Sequence, residues 1–112
     1  MDKRAKITLI IIIAVILIAI YIKYPRPPET TEEISKCIGK NSILYIQLGC
    51  SACKTQENLF GENYQYLNKV DCFYEQEKCI QEEIEATPTW IIKGVKYKGV
   101  KNIETLRELT GC

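Results

Sequence analysis

The segment LGCSACKTQENLF, residues 48–60, decides the fold because it carries two cysteines where an apolar run gives way to a helical pattern. The preceding run SILYIQL, residues 42–48, is rich in β-forming residues and has the length of a buried central strand. Residues 50–60 then predict a helix. Cys50 and Cys53 are therefore expected in the first turn of a helix that follows a buried strand.

The position of this cysteine pair predicts redox chemistry. Two cysteines three positions apart can close a small disulfide ring, and the sulfur of Cys50 would lie near the unpaired N–H groups of the helix start. Those groups and the helix dipole stabilise a thiolate, so we expect Cys50 to be the nucleophile. Cys53, one turn further and more sheltered, is placed to resolve the mixed disulfide between Cys50 and a substrate. Because Ser51 and Ala52 are uncharged, we predict a mid-range reduction potential rather than that of a very strong oxidant.

Composition narrows the classes of function. The chain has 112 residues, with 15 Lys and Arg against 14 Asp and Glu, and the basic residues are scattered, so no nucleic-acid-binding face is expected. It has 6 cysteines and no histidine, which indicates an oxidising compartment or thiol chemistry. Without histidine the usual zinc or haem ligand and the usual general base are missing. We expect no cofactor beyond a redox-active disulfide, and no metal.

The uncharged run ITLIIIIAVILIAIYI, residues 7–22, would rise about 24 Å as a helix, and lysines and tyrosines at its ends suit a membrane interface. We predict a cytoplasmic N-terminus at 1–6, a transmembrane anchor in contact with lipid at 7–24, and a Pro-rich, acidic linker at 25–33. A cleaved signal peptide is the alternative, although no small-x-small cleavage site follows the run. Three basic residues precede it: Lys3, Arg4 and Lys6. The positive-inside rule then places residues 23 onward outside the cell membrane.

Residues 34–112 are predicted to form one small α/β domain. Its remaining elements are expected to begin with a leading helix at 31–38 ended by Gly39, a strand at 66–72 and a helix at 77–85. The strands TWII and VKYKGV should then form a hairpin around the two-residue turn Lys93-Gly94. The last element is a helix at 102–110, with Asn102 as N-cap and Gly111 as its stop. Ile80 and Ile84 would share a face of the helix at 77–85. The order is β-α-β-α-β-β-α after one leading helix.

The stretch ATPTW, residues 86–90, is the second informative motif. A cis Thr87–Pro88 bond before a strand would turn the chain sharply and free the backbone groups of Thr87 to pair with an extended substrate. An ordinary trans proline at a strand start is the alternative, and for an isolated X–Pro bond it is the commoner form.

Three stretches together resemble a known superfamily: SKCIGKNSILYIQLGCSACKTQENLFG, VDCFYEQEKC and TPTWIIKGVKYKGVKNIETLRELTG. They resemble the thioredoxin superfamily and, within it, the thioredoxin-like domains attached to or partnered with bacterial and archaeal vitamin K epoxide reductase homologues. The resemblance implies a thioredoxin-like α/β fold and a thiol oxidoreductase whose Cys50–Cys53 disulfide is regenerated by a quinone-linked membrane enzyme and passed to secreted proteins. It gives Cys50 and Cys53 the catalytic places, Pro88 the cis-proline place and Trp90 a core position.

The other four cysteines have more than one interpretation. Cys72 and Cys79 could form a structural disulfide, act as a second redox pair that exchanges electrons with the first, or remain free thiols. Cys37 and Cys112 bracket the domain and could clamp its ends if their Cα atoms come within about 7 Å.

A few other side chains are candidates for a role in the chemistry or in packing. Glu57, one turn after Cys53, is a candidate for proton transfer. Trp90, Phe60 and the tyrosines are expected to pack in the core and on the surface rather than to bind a ligand. Three glutamates are expected to form a solvated helix face: Glu82, Glu83 and Glu85.

The leading interpretation is a membrane-anchored, extracytoplasmic thiol-disulfide oxidoreductase that oxidises secreted proteins. A reductive protein that keeps exported thiols or an apocytochrome reduced would use the same cysteines with electrons flowing the other way. A zinc module is disfavoured because a zinc ribbon needs a second Cys-x-x-Cys, and six residues separate Cys72 from Cys79. A catalytically silent docking domain is the third class.

Overall fold

The computed structural model describes residues 2–24 and 30–112. In chain order its elements are α1 (Lys3–Lys23), α2 (Glu32–Asn41), β1 (Ser42–Ile46), α3 (Ser51–Phe60), a 3₁₀ helix (Gly61–Tyr66), β2 (Lys69–Asp71), α4 (Gln76–Gln81), β3 (Thr89–Ile92), β4 (Val95–Lys98) and α5 (Ile103–Thr110).

One four-stranded mixed sheet organises the domain, with the strand order β2-β1-β3-β4. β1 pairs in parallel with β2, and the register sets Tyr45 opposite Val70. β3 runs antiparallel to both β1 and β4, and the register sets Leu44 opposite Trp90. The α/β class and the order β-α-β-α-β-β-α after a leading helix are confirmed.

The core lies on both faces of this sheet because successive side chains of a strand point to opposite sides. Leu44 of β1 is fully buried on the larger side, and its neighbour Tyr45 is buried on the smaller side with Val70 and Cys79. The larger cluster joins α2, α3 and α5 to the sheet and consists of Ile38, Leu44, Phe60, Leu67, Trp90, Ile92, Ile103 and Leu106. Burial of each large apolar side chain contributes about 1.5–3 kcal/mol. Phe60 and Trp90 are core residues, as predicted.

The leading helix is longer than the sequence predicted, because Gly39 does not end it. α2 continues to Asn41, and Gly39 is a buried residue inside it. A Cβ atom built on Gly39 would collide with the backbone oxygen of Tyr66, the last residue of the 3₁₀ helix. The glycine therefore serves the close approach of two helices rather than a helix stop.

The helix after β2 is shorter than predicted. α4 ends at Gln81 rather than Glu85, and Glu83 has a positive φ of 53°. Ile80 is 73% exposed, so the face that it was expected to share with Ile84 does not form. The helix ends here in a Schellman motif: the Glu83 N–H donates to the Ile80 carbonyl (3.0 Å), and the Ile84 N–H donates to the Cys79 carbonyl (2.9 Å). Glu82, Glu83 and Glu85 are exposed as expected, on a turn rather than on a helix.

Both predicted strands of the parallel pair are also shorter. β1 ends at Ile46, two residues before the predicted end, and the chain then turns toward the cysteine pair. β2 covers only Lys69–Asp71 because the residues before it, through Tyr66, form the 3₁₀ helix that the sequence did not reveal.

The hairpin turn and the last helix match their predictions, whereas β4 ends at Lys98, two residues before the predicted end. Lys93 and Gly94 both have positive φ, 52° and 77°, as a two-residue primed turn requires. Asn102 caps α5 by accepting a hydrogen bond from the Thr105 N–H (2.8 Å), and Gly111 ends it in the left-handed region.

α1 is long and apolar enough to cross a membrane, with a mean hydropathy of 2.9, and a signal sequence near an N-terminus would pass the same test. Residues 25–29 of the predicted linker lie outside the described residues. Thr30 is already buried on the domain, where its carbonyl accepts a hydrogen bond from Asn63 (3.1 Å). Thr31 is the N-cap of α2.

Candidate active site

The first cysteine pair lies at the N-terminus of α3. Cys50 is the N-cap residue, and its sulfur accepts a hydrogen bond from the Cys53 N–H (3.1 Å). The two residues form a disulfide, with their Cα atoms 5.2 Å apart. Cys50 is half-buried, whereas Cys53 is only 6% exposed. The sulfur that a partner can reach is therefore also the one that the N–H groups of the helix start can stabilise as a thiolate.

The residues predicted to bind substrate lie against this sulfur. The Thr87–Pro88 peptide bond is cis, and the Cys50 Sγ lies 3.5 Å from the Thr87 carbonyl oxygen. Thr87 precedes β3 by two residues, so it lies beyond the paired ladder, and the Pro88 carbonyl accepts a hydrogen bond from Gly99 (2.8 Å). An extended polypeptide bound along Thr87 would bring its own cysteine sulfur to Cys50.

Sequence reasoning missed a buried amide behind the cysteines. Gln56 is completely buried, and its Oε1 accepts hydrogen bonds from Trp90 Nε1 (3.0 Å) and from the Lys101 N–H (2.8 Å). Its Nε2 donates to the Lys101 carbonyl (2.9 Å). The signal was available in the spacing, because residues 53, 56 and 60 form the buried face of α3 and residue 56 is the polar member.

A groove of about 420 Å³ reaches both cysteines from the side of β2. Glu57, the predicted proton-transfer candidate, lines it together with Tyr64 and Asp71. Burial raises the pKa of Tyr64 to about 12, and the charges of Glu57 and Asp71 add to this rise. The Tyr64 hydroxyl is therefore neutral at physiological pH. Burial lowers the pKa of Lys69, whose ammonium lies 4.3 Å from the centre of the Tyr64 ring.

The remaining cysteines form two further pairs. Cys72 and Cys79 are joined with their Cα atoms 5.7 Å apart, and they line a groove of about 290 Å³ that also includes Thr87. Cys37 of α2 is joined to Cys112, with a Cα separation of 6.0 Å that lies within the usual disulfide range. Among residues 2–24 and 30–112, no group of three or more His, Cys, Asp or Glu residues is placed to hold a metal ion.

Comparison with known proteins finds a similar sequence whose name states an activity. The chain is 36% identical over 83 residues to the thiol-disulfide oxidoreductase LTO1 of Arabidopsis thaliana, across 63% of this chain and 22% of that protein. The chain thus spans about a fifth of the length of this curated relative. No family model matches.

Among solved structures, the oxidised thioredoxin of Plasmodium falciparum, determined in solution, is similar with a TM-score of 0.43 and 21% identity. This match covers 73% of the present chain and 90% of the thioredoxin.

Proposed function

We propose that this chain is a thiol-disulfide oxidoreductase that passes the Cys50–Cys53 disulfide to cysteine-containing secreted proteins. The observation that carries the proposal is the position of the Cys50 sulfur, 3.1 Å from the Cys53 N–H at a helix start and 3.5 Å from the Thr87 carbonyl. The aligned part of the Arabidopsis relative, whose name states the same activity, supports it.

The transfer consists of two thiol-disulfide exchanges. A client thiolate attacks the Cys50 sulfur, a mixed disulfide forms, and the Cys53 sulfur leaves as a thiolate that takes up a proton. A second client thiolate then attacks the client sulfur of the mixed disulfide and releases Cys50 as a thiolate, which the N-terminus of α3 stabilises. The client gains a disulfide, and two electrons pass to the Cys50–Cys53 pair.

The reduced pair must then be reoxidised. We place this step at a quinone-linked membrane oxidase of the vitamin K epoxide reductase type, which accepts the two electrons. The support for this partner is the resemblance of the motifs around Cys50, Cys72 and Pro88 to domains that work with such oxidases. α1, which is long and apolar enough to span a bilayer, would hold the domain next to the oxidase on the outer side of the cell membrane.

The reduction potential tests the direction of transfer. The full chain, purified in detergent, is equilibrated in glutathione buffers of varied ratio, and the Cys50–Cys53 thiols are trapped and counted, with a Cys50→Ser variant to assign the signal. We expect a value less negative than about −200 mV but more negative than the roughly −120 mV of the strongest oxidants. A value near about −270 mV would contradict donation of disulfides and favour the reductive function.

Two further measurements address the other classes of function. About one zinc ion per chain, after purification without reductant, would replace the redox function by a zinc module. A Cys50→Ser, Cys53→Ser double variant has no exchangeable disulfide at this site. If this variant replaces the wild-type protein in the cell without loss of function, a docking domain is favoured.

A further inference from the structure

We propose that Gln56 is the positioning residue that sets the Cys50 sulfur against the Thr87 backbone, and so makes the site efficient toward polypeptide clients. This inference rests on the proposed function and deepens it. Gln56 itself does not touch the reacting sulfurs. It acts through the hydrogen bonds that hold α3 against the segment that begins at Pro88.

The contacts of Gln56 close a ring around the substrate-binding side of the site. Its side chain binds Trp90, two residues after Pro88, and both backbone groups of Lys101. Gly99, two residues before Lys101, donates its N–H to the Pro88 carbonyl at 2.8 Å. The ring therefore runs from Gln56 through the β3 start to Pro88, across to Gly99, and back through Lys101 to Gln56.

This ring fixes the distance that the chemistry needs. Gln56 lies one turn after Cys53 on the buried face of α3, and Cys50 caps the same helix. A shift of α3 against the Pro88 segment would therefore change the 3.5 Å contact between the Cys50 sulfur and the Thr87 carbonyl. Buried hydrogen bonds are suited to this task because they have a narrow range of distance and angle, whereas apolar contacts can slide.

The residue type also matters. A primary amide both donates and accepts, and in this site it satisfies three backbone or side-chain groups at once. Leucine at this position would fill a similar volume but leave the Trp90 N–H and both Lys101 groups without this partner. An ionised glutamate would still accept from the two N–H groups but could not donate to the Lys101 carbonyl.

A positioning role predicts a difference between two kinds of substrate. A polypeptide client needs both the sulfur of Cys50 and the backbone of Thr87 in fixed geometry. A small dithiol needs only the sulfur. A residue that contributes only to stability would affect both substrates equally in the folded protein.

The test compares the variants Gln56→Leu and Gln56→Glu with the wild-type full chain in detergent, and with the control Ser35→Ala. Ser35 is a suitable control because it is also fully buried and hydrogen-bonded, to Thr30, but lies on α2 away from the ring. Two rates are measured for each protein: disulfide transfer to a synthetic peptide with two reduced cysteines, and oxidation of dithiothreitol. The thiolate absorbance of the reduced pair is recorded against pH.

We expect Gln56→Leu to lower kcat/KM for the peptide by about 10-fold or more, since small errors in placement have large effects on reaction rates. The rate of dithiothreitol oxidation should stay within about twofold of the wild-type rate. The midpoint of the thiolate titration should stay close to that of the wild type, because Cys50 remains at a helix start. Gln56→Glu should lie between Gln56→Leu and the wild type, and it also serves as the test if Gln56→Leu does not fold. Ser35→Ala should show no difference between the two substrates.

Equal losses for the peptide and for dithiothreitol, or no loss for either, would overturn the positioning role. The same substrate difference in Ser35→Ala would overturn it as well. A wild-type chain that transfers no disulfide to the peptide would overturn the proposed function together with this inference. If the wild type transfers its disulfide to the peptide and the Gln56 variants do so equally well, only the role of Gln56 is overturned.

Discussion

The two cysteine pairs at the carboxyl ends of β1 and β2 have similar chemistry but different surroundings. Cys50 caps the ten-residue helix α3 and accepts a hydrogen bond from its first turn. Cys72 follows β2 directly, its N–H donates to the Ile46 carbonyl (2.8 Å), and a turn separates it from the six-residue helix α4. Cys79 is buried in the small core cluster. Of the two pairs, the first therefore has a sulfur that the N–H groups of a helix start can stabilise as a thiolate, and we expect it to be the pair that exchanges with clients.

The largest expected effect follows from this difference. Cys50→Ser should abolish disulfide transfer to a reduced peptide, because the Cys53 thiol that remains has no disulfide to donate. Cys53→Ser should instead accumulate a mixed disulfide when the peptide is supplied in its oxidised form: the Cys50 thiolate attacks the peptide disulfide, one peptide sulfur leaves as a thiol, and no Cys53 thiolate is present to release the peptide. The product is detectable by mass on a non-reducing gel. Transfer by Cys50→Ser at more than about one-tenth of the wild-type rate would mean that the Cys72–Cys79 disulfide can itself be donated to a client.

The pair that joins the ends of the domain should matter most for stability. Cys37 and Cys112 are 75 residues apart in sequence, so on the chain-entropy estimate their disulfide contributes about 4 kcal/mol to the free energy of unfolding. Cys112→Ser should lower that free energy accordingly in urea titrations under non-reducing conditions, with disulfide transfer retained. The substitution should raise the free-thiol count by one, because Cys37 loses its partner. A count that falls by one would show that both cysteines are free in solution.

The second pair closes a much shorter loop, so its removal should have a smaller effect. Cys72 and Cys79 are 7 residues apart, for which the same estimate is about 2 kcal/mol. A Cys72→Ser, Cys79→Ser variant should lose about this much stability in urea while it oxidises the peptide within a few-fold of the wild-type rate. Loss of peptide oxidation with unchanged stability would indicate instead a redox relay between the two pairs.

The sequence predicted the parts of the site that depend on neighbours along the chain. The cysteine pair at a helix start, the turn Lys93-Gly94 and the Asn102 cap each arise from interactions within a few residues, and the structure has all three elements. Local hydrogen bonds and backbone preferences decide such features, so a short stretch of sequence carries their signal.

The features that sequence reasoning missed depend on residues far away in the chain. Gln56 binds Trp90 and Lys101, which are 34 and 45 residues away. Gly39 has the sequence context of a helix stop, and its actual role depends on the close approach of the Tyr66 backbone, 27 residues away. The helix at 77–85 had a plausible apolar spacing, but α4 ends at Gln81, and it is Cys79 rather than Ile80 that packs against Tyr45 of β1. Tertiary packing overrides local propensity in each of these cases.

The smallest expected effect compares the tyrosines beside the two pairs. Tyr64 lies in the groove of the first pair, and burial raises its pKa from 10.0 to about 12. Tyr45 packs against Cys79 of the second pair, and burial also raises its pKa. A tyrosine whose pKa is higher in the folded than in the unfolded state holds its proton more tightly when folded. Its contribution is complete below the unfolded pKa and is lost as the pH rises through the folded value.

The free energy of unfolding of the wild type should therefore fall as the pH rises from about 10 toward about 12, and Tyr64→Phe should flatten this decline. Tyr64 is partly open to solvent, so the change should be modest. Urea titrations across this range, with Tyr45→Phe as the matched variant from the other face of the sheet, would measure it. Because burial raises the pKa of Tyr64 to about 12, Tyr64→Phe should show the greater flattening. The linkage depends on the shift of each pKa rather than on distance from a cysteine. A greater effect of Tyr45→Phe would therefore mean that the Tyr45 hydroxyl, beside the second pair, is the more strongly desolvated of the two.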